Sequence, residues 1–137
     1  LGDTVPGHED YARACREAAG PQVRFLARLC HDDPLLASAY AACGCLALAS
    51  WFETPGLVAL EAAMTGTPLV LPDGGCAREY FGPHARYVRP EDRRGIRRAV
   101  EDAFAEGRNT LLAQLVREEF SWRRAAQATV EAYEAVL

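Results

Sequence analysis

The chain has 137 residues, 50% of them hydrophobic and 25% charged, with a formal net charge of −4. That is the make-up of one ordinary globular domain, long enough to bury a core. The acidic balance excludes a general nucleic-acid binder, whose footprint is basic. All fifteen basic residues are arginines, which excludes a lysine nucleophile, a Schiff base and a Walker-type phosphate lysine within these residues.

Taken in order, Leu1-Gly2-Asp3 reads as the end of a strand cut short. Residues 9–19 predict a helix stopped by Gly20-Pro21, and Val23-Arg24-Phe25-Leu26 predicts a strand. His31-Asp32-Asp33-Pro34 caps a helix over 35–42. The apolar, uncharged run 45–49 predicts a fully covered strand. Thr54 is a good N-cap, Pro55 suits a first helical turn and Gly66 with Pro68 is a stop signal, so residues 55–65 predict a helix. Residues 67–71 predict a second buried strand, ending at the bulk-free turn Asp73-Gly74-Gly75. A short helix over 76–81 and a strand over 85–88 follow. Three more helices are predicted: 91–106; Asn109 or Thr110 to about 119; and one capped by Ser121 that runs to the end. Strands alternating with helices imply parallel pairing, so the expected fold class is α/β: a Rossmann-like parallel sheet with helices on both faces. Residues 1–137 read as a single partial domain, truncated at its N-terminus.

The centre of the chain is its least charged part. Between Pro34 and Pro72 the only charged residues are Glu53 and Glu61. The helix bearing Glu61 is apolar on every other side, the pattern of a buried helix, and a carboxylate there needs a partner. Glu53 falls in the turn between a strand and that helix, where α/β sheets bind ligands and anions. The helix start offers backbone N–H groups to a phosphate, and Gly56 allows close approach. Glu61 can then accept hydrogen bonds from ribose hydroxyls. The plain alternatives are a Glu53 that only complements the helix dipole and a Glu61 satisfied within the structure.

Other features read as structural. The cysteines Cys15, Cys30, Cys43, Cys45 and Cys76 contain no Cys-x-x-Cys spacing; Cys43-Gly44-Cys45 beside Cys30-His31 lacks zinc-site spacing and reads as small apolar residues of a reducing compartment. Residues 35–52 are uncharged but broken by Gly44, and a helix followed by a strand explains them better than a membrane span. Arg93, Arg94, Arg97 and Arg98 precede Glu101 and Asp102 at helical spacing and read as a solvated face. His8, His31 and His84 are scattered, and no Ser/His/Asp or Cys/His arrangement follows from spacing.

Phe52-Glu53-Thr54-Pro55-Gly56-Leu57, Leu60-Glu61-Ala62 and Gly66-Thr67-Pro68-Leu69-Val70 resemble the C-terminal, donor-binding domain of retaining GT-B glycosyltransferases of family 4. That family's glutamate pair, with seven residues between, falls on Glu53 and Glu61. Residues 23–29 resemble the strand and loop that hold the nucleotide base, although the family usually has Gly where Ala27 stands. Glu79-Tyr80-Phe81-Gly82, Tyr87-Val88-Arg89-Pro90-Glu91-Asp92 and Phe120-Ser121-Trp122 resemble later family blocks. The resemblance places the family's Gly-Arg and Lys-Gly, whose basic residues grip the diphosphate, and its N-terminal acceptor domain upstream of Leu1, outside these residues.

The resemblance implies a domain that binds a nucleotide diphosphate sugar for transfer to an acceptor with retention, in glycan or cell-surface polysaccharide synthesis. It gives Leu29 the base, Gly56, Leu57, Val58 and Glu61 the nucleotide, and Glu53 the donor sugar and the charge developing on it; Gly74 and Gly75, read from their bulk-free turn, are either a plain loop or a contact to the sugar or phosphate. Nothing in the residues requires a metal, and no cofactor is expected apart from the donor substrate. The rival readings are a sugar-nucleotide epimerase on the same scaffold and a non-catalytic nucleotide-sugar-binding or assembly module. The base, sugar and acceptor are unspecified. The expected setting is cytoplasmic, with the full-length protein able to sit peripherally at a membrane. In a sheet ordered 3-2-1-4-5-6 the first strand lies between those at 23–26 and 45–49. Its loss predicts open sheet edges, self-association or dependence on a missing segment, and no catalysis by the isolated chain.

Overall fold

A computed structural model describes residues 3–54 and 56–136. The strand end expected at Leu1-Gly2 and the helix start expected at Pro55 lie outside the described residues. The chain falls into two compact units, one reaching to Leu36 and the other running from Ala37.

The first unit contains helix α1 (Glu9–Ala18). Its Phe25 ring lies under the Arg16 guanidinium, 5.5 Å from the ring centroid. Residues 23–26 do not form the expected strand. A strand exists only when a neighbouring backbone completes its ladder, and no described segment pairs with these residues; Val23, Phe25 and Leu26 are each more than half exposed. Helix α2 (Pro34–Ala42) begins in this unit, and the Asp33 carboxylate accepts the Leu35 N–H at 2.9 Å, as expected of that cap.

The second unit is built on a parallel sheet of three strands: β1 (Leu46–Ala47), β2 (Leu69–Pro72) and β3 (Ala85–Val88), in the order β1-β2-β3. Leu46 pairs with Leu69, and Leu69 with Ala85. Between β1 and β2 runs helix α3 (Leu57–Met64), and between β2 and β3 run helix α4 (Ala77–Phe81) and a 3₁₀ turn (Gly82–His84). Helices α5 (Arg93–Glu106), α6 (Thr110–Glu119) and α7 (Trp122–Glu134) follow, capped by the side chains of Asp92, Asn109 and Ser121. β1 is shorter than the expected 45–49, although the Leu48 N–H still donates to the Val70 carbonyl at 2.8 Å.

Strand alternation divides the core. Leu69 and Leu71 point to one face, where they meet Ala59, Ala62 and Ala63 of α3, Phe81 of α4, and Leu112 and Val116 of α6. Val70 and Val88 point to the other, against Ala103 of α5. Helices therefore cover both faces of a parallel sheet, a Rossmann-like α/β arrangement. Helix α3 departs from expectation because it is not enclosed all round. Three alanines spaced three and one apart make its core stripe, while Leu57 is 65% and Met64 47% exposed. Small residues make the face turned to β2, Leu60 packs partly buried against the same core, and Leu57, Val58 and Met64 lie on the outer face.

The arginine-rich face of α5 is solvated, with Arg97 donating to Glu101 at 2.8 Å. Asp102 lies instead 3.9 Å from Arg86 of β3, whose guanidinium also pairs with Glu106. All five cysteines are free thiols. Among the described residues no group of three or more His, Cys, Asp or Glu side chains is placed to hold a metal ion. No helix among them is long and apolar enough to cross a membrane.

Candidate functional site

The site is built where two adjacent parallel strands end. After β1 the chain runs through Trp51 and Phe52, both largely exposed, to half-buried Glu53. After β2 it turns at Asp73 into Gly74 and Gly75. The two loops are stitched together, since Glu53 and Gly75 form an isolated parallel bridge and the Cys76 N–H donates to the Glu53 carbonyl at 3.1 Å. Glu53 is thereby held by its backbone, and the Ser50 hydroxyl donates to its Oε2 at 3.2 Å.

Helix α3 starts from Gly56, not from Thr54. Gly56 has φ of +58° and serves as N-cap without any side-chain cap bond. That left-handed conformation favours glycine, so the cap is made by backbone geometry where a threonine side chain was expected. The Ala59 and Leu60 N–H groups donate to the Gly56 carbonyl, whereas the N–H groups of a helix's first turn have no intrahelical acceptor. Leu57 and Val58 occupy that turn with exposed side chains. The Glu53 side chain reaches the same place: its Cγ lies 3.3 Å from where a Gly56 Cβ would stand.

Glu61 sits one turn further along α3, half-buried. The Tyr40 hydroxyl of α2 donates to its Oε2 at 2.9 Å, so the partner its burial demanded comes from within the chain. Burial first, then the Glu61 hydrogen bond and charge, with a smaller contribution from Cys43, push the Tyr40 phenol up to about 12. Of the expected site residues, Glu53, Gly56, Gly74 and Gly75 thus meet at the ends of β1 and β2, and Leu57, Val58 and Glu61 follow on the adjoining helix. Leu29 is half-buried in the first unit.

Two supports had no sequence signature. One is the Asp73–Arg78–Tyr87 group. Arg78 Nε donates to Asp73 at 2.7 Å, its guanidinium lies 4.1 Å from the Tyr87 ring centroid, and the Tyr87 hydroxyl donates to the Gly82 carbonyl at 2.8 Å. This braces the turn that carries Gly74 and Gly75. The other is Arg108, just before α6, which donates to the Thr67 hydroxyl at 2.7 Å, to the carbonyls of Thr65 and Cys43, and to that of Ala41. Thr67, fully buried, donates to the Tyr40 carbonyl at 2.8 Å.

The glycosyl transferases group 1 family matches residues 2–106. The chain is also similar to the glycogen synthases of two strains of Mycobacterium tuberculosis, CDC 1551 / Oshkosh and ATCC 25618 / H37Rv, at 36% identity over 117 residues in each case. That alignment covers 80% of this chain and 28% of each relative. The family match takes in β1 to β3, both glutamates and the glycine turn, and the chain belongs to the glycosyl transferases group 1 family.

Proposed function

We propose that this chain supplies the donor-binding half of a retaining GT-B glycosyltransferase of family 4 type, which takes a sugar from a nucleotide diphosphate sugar and passes it to a glycan or polysaccharide acceptor. The observation that carries the reading is the joining of Glu53 to Gly75 across the carboxyl ends of β1 and β2, beside the start of α3. Ligands of open parallel sheets bind at the carboxyl ends of the strands. The similarity to two proteins named glycogen synthase supports a polysaccharide acceptor.

In this reading the first-turn N–H groups of α3, at Leu57 and Val58, receive the diphosphate beside Gly56, where a helix start stabilises negative charge. Glu61 accepts from the ribose hydroxyls and Leu29 offers backbone atoms to the base. Gly74 and Gly75 border the sugar. Glu53 faces the carbon whose glycosidic bond breaks and stabilises the positive charge developing there. Its contribution is electrostatic and positional, with no covalent sugar intermediate. The donor is a substrate, and no separate cofactor takes part.

The test is transfer by the full-length protein from a panel of nucleotide diphosphate sugars, with the product anomer followed by NMR. Net retention from one donor is the expected result. An inverted product overturns the retaining assignment, and epimerised donor without transfer overturns the transferase reading.

A further inference from the structure

Glu61 is held from outside its own helix. Its Oε2 accepts the Tyr40 hydroxyl at 2.9 Å across 21 residues of sequence, and the Tyr40 ring packs partly against the cluster formed by α3, β2, α4 and α6. The backbone of Tyr40 is anchored as well. Its carbonyl accepts from Thr67, and Thr67 is held by Arg108, which also grips the carbonyls of Ala41 and Cys43 at the end of α2. A glutamate on a helix ordinarily samples several rotamers, and fixing them costs entropy. A phenol is rigid, with few torsions to order. The end of α2, through Arg108, and α3, through its alanine stripe, are therefore both anchored, and the hydrogen bond between Tyr40 and Glu61 orients the carboxylate between them.

We propose that Tyr40 is the positioning residue for Glu61, orienting its carboxylate to receive the ribose hydroxyls of the donor; this rests on the donor-site reading given above. An ionised carboxylate has about four acceptor positions, so the phenol can set its orientation while leaving the group able to accept from a diol. The Tyr40 phenol, pushed up to about 12, keeps its proton throughout the neutral range and remains a donor. Tyr40 touches no reacting atom and acts only through Glu61.

The experiment uses the full-length protein with ADP and UDP, each titrated against its 2′,3′-dideoxy form, in the wild type, Tyr40→Phe, Glu61→Gln and the double variant. Phenylalanine keeps the packed ring. Tyr40→Phe is expected to weaken the preferred ribonucleotide roughly three- to tenfold and the dideoxy form less than about twofold, the size of one hydrogen bond lost at one point of contact. In the Glu61→Gln background, where an amide oxygen can still accept the phenol but the charge is gone, the same change is expected to have a clearly smaller effect. Tyrosine labelled at Cζ, followed by NMR, reads the pair without nucleotide: Glu61→Gln should lower the Tyr40 titration from about 12. A wild type that does not distinguish ribose from dideoxyribose overturns the donor-site reading together with this inference. A wild type that distinguishes them and a Tyr40→Phe variant that does so equally well overturns the inference alone. So does a Tyr40 titration unmoved by Glu61→Gln.

Discussion

Gly75 and Glu53 occupy adjoining space so closely that a Cβ on Gly75 would overlap the Glu53 carbonyl oxygen. Gly75 also has φ of +85°, in the region that side chains disfavour. The missing side chain lets one loop close on the other, and the approach of a ligand is a separate demand on the same turn. Gly75→Ala therefore combines backbone strain with a steric conflict and should cost roughly 2–4 kcal/mol in urea denaturation. Gly20→Ala, with nothing within 4 Å and no positive φ, should stay within about 0.5 kcal/mol. Equal effects at both positions would show that the bridge does not hold the loops.

Glu53→Gln tests the catalytic half of the proposal. Glutamine keeps the length of the side chain and an oxygen that can accept from Ser50, now 3.2 Å from Glu53 Oε2, so the loop should keep its shape. It removes the negative charge. If that charge acts mainly on the transition state, kcat should fall by on the order of 10² or more with KM nearly unchanged. Steady-state kinetics on the full-length protein separate the two constants. A rise in KM alone would make Glu53 a clamp on the bound donor.

Local signals made most of the second unit legible, and interactions between distant residues did not. The 85–88 strand and the caps at Asn109 and Ser121 follow from short-range chemistry, and the structure contains them. Thr54 was misleading because a good capping residue stands two positions before a glycine that makes the cap with its backbone. Residues 23–26 have strand composition without a strand's partner, and composition carries no information about pairing. Tyr40 and Arg108 were invisible for a related reason. Their partners lie from 21 to 67 residues away, and nothing in an alanine-rich helix marks one tyrosine as the holder of a later glutamate.

The Tyr40 phenol also predicts a pH dependence. It is raised from 10.0 to about 12, first by burial, then by the Glu61 hydrogen bond and charge and by Cys43. Below about pH 10 the phenol is protonated in both folded and unfolded chains, and its contribution is fully present. Between about pH 10 and 12 the unfolded chain loses the proton first, so stability falls as the pH rises through the folded value. Tyr40→Phe should remove part of this alkaline decline. Urea midpoints measured from pH 9 to 12 would show a shallower slope in the variant, and parallel slopes would place the decline elsewhere.

Arg108 offers the sharpest test of what holds the end of α2 in place within the second unit. Its guanidinium serves the Thr67 hydroxyl and the carbonyls of Thr65, Cys43 and Ala41, so one side chain ties the ends of α2 and α3 to the segment that leads into α6. Cationic groups are favourable near helix C-termini, and a planar fork can meet several acceptors that one ammonium group cannot span. Arg108→Ala should therefore cost about 1–3 kcal/mol. Arg108→Lys should recover less than half of that loss, because it restores the charge without the fork. Thr67→Val, which removes the hydroxyl between Arg108 and the Tyr40 carbonyl, should cost about 1–2 kcal/mol alone and clearly less in the Arg108→Ala background. Urea denaturation of the four variants and the wild type gives the coupling directly. Full rescue by lysine would reduce Arg108 to a point charge, and strict additivity with Thr67→Val would mean that the two residues do not act as one anchor.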